Sequence, residues 1–419
     1  MPGLIIAALR DLDPPAGGAE MSLATLLKGV IEPGPGVDAE ALYAPCHPTP
    51  GIDPALLKSG WRVRIHQSSL RGETTDLTND SELGIIGYPL KIEDLWSGLA
   101  WRMRSKDGQP NYGLQTRHLS NANRNFRKKI TAPVAASASK ATAAGLPVVG
   151  VTQLHWSAGA AECFQAAGIP YIVFVRDELQ FRYPEIFKSS LENAAAVCCA
   201  GEGLGAQVES RFNVKTIRNV RLPVDFGGRF GNAEKVAAER AAGLTNRAES
   251  GDASTPRIAV VGITPEKGYD FYQQLLPHLE ANWPEAHIDI HGGGSYAESL
   301  GSHTNATWHG HTPVEEVFSK CDIHLLTVAS TGSWGRVINE AGLFGVPSVS
   351  VAIGSQPEAV GAGGIIVPEE GSLDDWEDAL RATYEDRLEL GEDARRHAGV
   401  VDHRSSIAAF RSVLHEIIG

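Results

Sequence analysis

The sequence predicts an α/β protein built from two Rossmann-like, doubly wound halves. Short runs of apolar and β-branched residues alternate with longer segments of helical periodicity, as parallel βαβ units require. These runs fall into two series separated by a stretch without a strand pattern. The chain has 419 residues, more than one ordinary hydrophobic core fills, and its 42% hydrophobic content supplies material for two.

In the first series, strands are expected at 4–9, 41–43, 62–66, 148–152, 171–175, 195–200 and 216–219. The second series places them at 257–262, 287–291, 307–309, 323–327, 348–351 and 364–367. Between the two lies 227–255, rich in Gly, Ala, Asn, Asp and charge, with one surface helix expected near 234–242 and a loop after it. The boundary is set at 223–226, giving a first half at 1–222 and a second half at 223–403. The last helix, 405–418, carries Ile407, Phe410, Val413, Leu414 and Ile417 as a stripe. Either half could receive it, packing of 404–419 back on the first being the candidate.

One segment departs from the alternation. Over 84–146, Ile92, Leu95, Trp96, Leu99, Ala100 and Met103 recur at helical spacing, followed by Arg102, Arg104 and Lys106. Arg117, Arg124, Arg127, Lys128 and Lys129 come next. The plainer reading is a helix packed on the first sheet with solvated charges after it. The sharper one is an acceptor-binding or membrane-surface element over 89–130, because tryptophans beside cations suit an anionic lipid interface.

Net charge is −13, which argues against nucleic acid as a partner, although local amides and a few cations can still bind a small anion. Five scattered cysteines, Cys46, Cys163, Cys198, Cys199 and Cys321, have no metal-ligand spacing and fit a reducing compartment. The apolar start, 4–9, is too short and too soon followed by Arg10, Asp11 and Asp13 for a signal peptide. A cytoplasmic location is expected. Asp11-Leu12-Asp13 imitates a metal-binding Asp-x-Asp by coincidence, and His287, His291, His303, His309 and His311 are expected to be solvated singly.

Three successive strand ends of the second series carry loops suited to a phosphorylated ligand, after 257–262, after 323–327 and, with Gly354-Ser355-Gln356-Pro357-Glu358, after 348–351; a Gly-Gly pair after the first strand joins them. After 4–9, Gly17-Gly18-Ala19-Glu20 opens a helix with Leu23, Leu26, Leu27 and Val30. Glycines there let the backbone approach a phosphate, and the first helical N–H groups point at it. No third glycine follows at dinucleotide spacing, which disfavours a nicotinamide-dependent dehydrogenase. After 257–262, Thr264-Pro265-Glu266-Lys267-Gly268 sets a lysine at the carboxyl edge of a strand, where open α/β sheets hold ligands. After 323–327, Ser330-Thr331-Gly332-Ser333-Trp334-Gly335 runs into a helix with Arg336 and Glu340, another cradle of unpaired amides.

The order Gly17-Gly18-Ala19-Glu20, Pro265-Glu266-Lys267-Gly268, Asn339-Glu340-Ala341-Gly342-Leu343-Phe344-Gly345-Val346-Pro347 and Pro357-Glu358-Ala359-Val360-Gly361 resembles the retaining glycosyltransferases of family 4, which have the GT-B fold. Gly363-Gly364-Ile365-Ile366-Val367-Pro368 continues the likeness, which spans nearly the whole chain apart from 84–146 and 227–255. The resemblance implies transfer of a sugar from a nucleoside diphosphate sugar to a hydroxyl acceptor, with retention and without a metal or other cofactor; the acceptor would bind mainly on the acceptor-side half, 1–222, and the nucleotide sugar on the half at 223–403. It places Lys267, Glu340 and His155 in the catalytic machinery. Gly17, Gly18, Gly262, Lys267, Ser330, Thr331, Gly332, Ser333, Trp334, Gly335, Arg336 and Glu340 would bind the donor. Lys267 would offset charge on the leaving diphosphate, Glu340 would hold the ribose hydroxyls, and His155 would stand near the sugar.

Two positions depart from the family's pattern. Gly332 replaces the first acid of Glu-x7-Glu, and Gly262-Ile263-Thr264 stands where an arginine usually precedes the lysine. Arg336, Arg176, Arg182 and Arg10 are candidates for the missing cation. These departures motivate one rival, a non-catalytic scaffold that kept the fold; the other is a nucleotide-sugar 2-epimerase of similar architecture.

Overall fold

Strands covered by helices on both faces bury every side chain, so they read as continuous apolar runs. The computed structural model describes residues 3–10, 18–30, 61–69, 85–89, 111–224, 230–250, 255–328 and 334–419. The strand expected at 41–43, the helix through 92–103, the Asp11-Leu12-Asp13 triplet, Gly17 and Ser330 to Ser333 lie outside the described residues.

The first sheet holds seven strands: β1 (Leu4–Arg10), β2 (Arg62–Ser69), β3 (Ile85–Pro89), β4 (Val148–Gln153), β5 (Tyr171–Val175), β6 (Ala196–Cys199) and β7 (Ile217–Asn219). All pair in parallel in the order β3-β2-β1-β4-β5-β6-β7. The second holds six: β8 (Arg257–Val261), β9 (His287–His291), β10 (Ala306–Gly310), β11 (Ile323–Leu326), β12 (Ser348–Val351) and β13 (Gly364–Val367). It is also parallel, ordered β10-β9-β8-β11-β12-β13. Strand order reverses between β1 and β4 and between β8 and β11, the crevices where such sheets bind ligands. Strand β3 is an addition to the expected set. It is a five-residue edge strand ending at Pro89, where a missing N–H costs no ladder bond.

Alternation along β1 divides two cores. Ile5, Ala7 and Leu9 face the helix α1 (Gly18–Val30), whereas Leu4, Ile6 and Ala8 face the helix α2 (Tyr112–Ala143). Helix α2 buries Leu119, Phe126, Ile130 and Val134 along one face and exposes Arg117, Arg124, Arg127 and Lys128 on the other. Arg127 pairs with Glu162. Over 112–130 the basic segment is thus one amphipathic helix packed on the first sheet. Among the described residues, no helix is long and apolar enough to cross a membrane. The helix expected near 234–242 runs over Ala233–Ser250.

The last helix, His403–Ile418, packs on the first half. Ile407, Phe410, Val413 and Leu414 join Leu23, Leu26 and Leu27 of α1 in one core, and Phe410 lies 5.5 Å from Phe174 between ring centroids. Close approach depends on Gly29, where a Cβ would stand 2.3 Å from Ile407 Cδ1. Arg411 donates to the Gly29 carbonyl at 2.6 Å. The core between β1 and α2 also joins the halves, since Trp334, Ile338, Ala359 and Val360 belong to it.

Candidate active site between the two sheets

The carboxyl ends of β4 and β5 face those of β8 and β11 across a cavity of about 620 Å³. On the second-half wall, β8 ends in Gly262, whose φ of 69° is left-handed and favours glycine. The chain then makes a short 3-10 turn, Pro265–Lys267, held by Thr264, whose Oγ1 accepts from Lys267 N at 3.2 Å. A Cβ on Gly262 would lie 3.1 Å from Lys267 Nζ, so the ammonium rests against the bare glycine. The Lys267 side chain is exposed to the cavity. Its pKa lies below the ordinary lysine value because the cleft walls strip water from it; the Glu340 carboxylate opposes that shift and the Arg336 guanidinium adds to it.

Helix α3 (Arg336–Leu343) opens from Gly335, also left-handed at φ 68°. A Cβ there would meet Gln356 Oε1 at 2.9 Å and Leu326 Cδ2 at 3.0 Å. Arg336 and Glu340 both line the cavity and bind one another, Nε to Oε1, at 3.0 Å, with Glu340 buried. Arg336, a candidate for the missing cation, is therefore already engaged by Glu340. The Trp334 side chain is fully buried, and its Nε1 donates to Asn339 Oδ1 at 2.5 Å, which leaves only its main chain to meet a donor. Asn339 in turn donates to the Ala359 carbonyl at 2.9 Å, so this indole anchors the start of α3 from inside.

On the first-half wall, β4 passes into a 3-10 turn, Leu154–Trp156. Leu154 has φ 54°, the one positive φ at a non-glycine among the described residues, and strain of this kind concentrates at functional sites. Leu154 and Trp156 are buried while His155 lines the cavity. Asn123 clamps the turn, donating to the His155 carbonyl at 2.7 Å and accepting from Gly159 N at 2.8 Å. Strand β5 is followed by Arg176-Asp177-Glu178, all on the cavity. Burial pushes Asp177 up to about 6, outweighing the bond it accepts from Leu179 N at 2.9 Å. Arg182, on the same wall, pairs with Glu178. Gly18 begins α1, whose next residue, Ala19, lines the cavity.

The fold thus brings His155, Gly262, Lys267, Gly335, Arg336 and Glu340 to one cavity, from loops more than a hundred residues apart in sequence at the extremes. Asp177 is a site residue that the sequence reading leaves out, although a carboxylate directly after an apolar strand is a signal in itself. The histidines of the second sheet are not all solvated, since His291 is buried. His291 and His309 stack with centroids 4.8 Å apart, beside a smaller cavity of about 310 Å³. His309 meets Asp289 at 2.7 Å and burial lowers His291 to about 4.

The halves also meet through a helix cap. Helix Glu202–Arg211 in the first half starts at Gly201 with no capping side chain of its own. Glu358 of the second half accepts instead from Glu202 N at 2.9 Å and Gly203 N at 2.7 Å.

The sequence model of the family described as glycosyl transferases group 1 matches residues 255–386. No curated protein sequence matches the chain. Among solved structures, HepE from Anabaena in complex with UDP and glucose is similar, with TM-score 0.61 and 14% identity over 99% of this chain and 100% of that one. Sucrose-phosphate synthase from Thermosynechococcus elongatus gives 0.61 and 16% over 99% and 98%. A UDP-forming trehalose-phosphate synthase from Burkholderia vietnamiensis gives 0.63 and 12% over 99% and 100%. At such identities the likeness speaks for the fold. Residues 255–386 form a glycosyl transferases group 1 domain, and the whole chain has the GT-B fold.

Proposed function

We propose that the protein is a glycosyltransferase of the family 4 type, moving a sugar from a nucleoside diphosphate sugar to a hydroxyl acceptor with retention. The observation that carries this reading is the convergence of Lys267, Gly262 and the start of α3 on one solvent-open cavity between two sheets. A diphosphate would lie against the Lys267 ammonium and the first amides of α3, which oppose the charge that builds as the glycosidic bond breaks. Glu340, buried and oriented by Arg336, would accept from the ribose hydroxyls. Because cation and amides supply the positive field, the reading needs no metal.

His155 would donate to, or accept from, the transferred sugar from the first-half wall. The acceptor hydroxyl would attack from the leaving-group face and give its proton to the departing phosphate oxygen, a route that asks for no carboxylate at position 332. Closure of the halves would exclude water and limit hydrolysis. UDP is the favoured nucleotide, since the HepE and trehalose-phosphate synthase structures are named with it. We place the protein in the cytoplasm, with the exposed basic face of α2 turned outward to meet an anionic membrane surface.

The test is calorimetry with UDP and GDP on the wild type, Lys267→Met and Glu340→Gln. Losing one charge-assisted bond should weaken UDP binding about ten- to a hundredfold in each variant. Unchanged binding in both variants would refute the site. A wild type that binds neither nucleotide would favour the scaffold, and an epimer formed from a UDP-sugar without acceptor would favour the epimerase.

A further inference from the structure

Arg176 is 4% exposed, lines the cavity, and has no hydrogen-bond partner for Nη1 or Nη2 among the described residues. Its Nε reaches Gln153 Oε1 at 3.5 Å, at the limit of a bond. The guanidinium carbon lies 4.3 Å from the centroid of the Phe174 ring, which fixes the plane of the fork. The buried Gln153 Nε2 beside it is also without a partner among the described residues. No carboxylate of the described residues forms a salt bridge with Arg176; Glu20, in the first turn of α1, acts on it only through space. Burial lowers its pKa to about 10.

Desolvating a guanidinium without a counterion is among the costliest arrangements a fold can hold. No lysine is among the described first-half residues that line the cavity, and Arg182 on the same wall is engaged by Glu178. What Arg176 offers is a planar fork, two N–H groups wide, which matches two oxygens of a carboxylate or phosphate. The opposite wall already carries the cation and helix amides that suit a diphosphate.

Resting on the glycosyltransferase reading, we propose that Arg176 is the receptor for an anionic oxygen group, a carboxylate or phosphate, on the substrate that lies against the first-half wall. The acceptor is the molecule assigned to that wall, so a negatively charged acceptor is the expected source. A carboxylate on the transferred sugar is the other source of the same chemistry.

The test uses thermal shift and calorimetry on the full chain, comparing wild type with Arg176→Met, Arg176→Gln and Arg176→Lys. In saturating UDP, potassium phosphate is titrated against potassium chloride at equal ionic strength. Phosphate should stabilise the wild type beyond chloride, and the half-effect concentration should rise roughly tenfold or more in the Met and Gln variants. Both variants should also melt higher than the wild type without ligand, because an unpaired buried charge has gone. Arg176→Lys should keep a weakened phosphate response. Glucose 6-phosphate and glucuronate, each against glucose, read the acceptor source; UDP-glucuronate against UDP-glucose reads the donor source.

Equal phosphate responses in wild type and variants would overturn the proposal. So would variants that melt lower without ligand, which would make Arg176 structural, or a parallel loss of UDP affinity, which would assign Arg176 to the diphosphate. If the wild type binds neither UDP nor GDP, the glycosyltransferase reading fails, and the phosphate titration without nucleotide still decides for or against Arg176.

Discussion

Replacing Glu358 by alanine removes a helix cap that crosses from one half of the protein to the other. Helix Glu202–Arg211 has Gly201 at its N-cap, so the two oxygens of Glu358 serve its first amides, at 2.9 Å from Glu202 N and 2.7 Å from Gly203 N. Glycines make the approach possible: a Cβ on Gly203 would stand 2.0 Å from the Gly354 carbonyl oxygen, and one on Gly201 would be 2.7 Å from Glu358 Oε2. Loss of a cap costs about 1 kcal/mol, and loss of a carboxylate at a helix N-terminus about 0.3–1 kcal/mol more. Leaving the half-buried Gly203 amide unpaired adds about 1 kcal/mol. The total is about 2–3 kcal/mol, all of it in contacts between the halves. Ser355, whose Oγ accepts from Leu204 N at 3.3 Å, remains and keeps the loss at the lower end. Urea unfolding of Glu358→Ala should show that loss, and amide exchange at Gly203 should quicken. An unchanged midpoint together with unchanged exchange at Gly203 would refute the idea that this cap couples the halves.

Gly335→Ala should cost about 1–2 kcal/mol from the left-handed backbone alone, and its methyl would press on Gln356 and Leu326. Calorimetry should therefore show weaker UDP binding, and retained affinity would remove the start of α3 from the site. Phe410→Ala, in the core shared by the last helix and the first sheet, should destabilise by about 3–5 kcal/mol in urea. Burial lowers His66 and His291 from 6.5 to about 4, so both stay neutral in the fold. Their stabilising contribution is complete above about 6.5 and is lost as pH falls towards 4. Asp177, raised from 3.8 to about 6, has the opposite sign: its contribution is complete below 3.8 and is lost as pH rises through 6. With two histidines against one aspartate, stability should fall from pH 6.5 to 4, and His66→Gln with His291→Gln should flatten that slope in thermal melts.

Much of the frame was legible in the sequence because it is local. Leu4 to Leu9, Tyr171 to Val175 and Ile258 to Val261 are unbroken apolar runs, as parallel strands covered on both faces should be. The spacing of Lys267 after one strand and Glu340 after another put both at carboxyl edges, where the fold opens its cavity. Strand β3 escaped because five residues ending in proline carry too little pattern to stand out. The inward turn of the Trp334 indole was not legible, because a tryptophan in a glycine-rich loop gives no sign of which way it points, and Asn339 turns it inward.

The sequence by itself determined the two series of parallel strands, the alternating faces that each must bury, and the placing of glycines and a lysine at strand ends. Those follow from forces that act over a few residues: side-chain alternation, helical periodicity and backbone sterics. Only the tertiary structure decided that the last helix returns to the first half, that Glu358 caps a helix in the opposite half, that Arg336 is held by Glu340, and that Arg176 is buried with no salt-bridge partner among the described residues. Each of these depends on which distant surfaces meet, and that is set by sheet order and by the packing of whole elements, which no window of sequence contains.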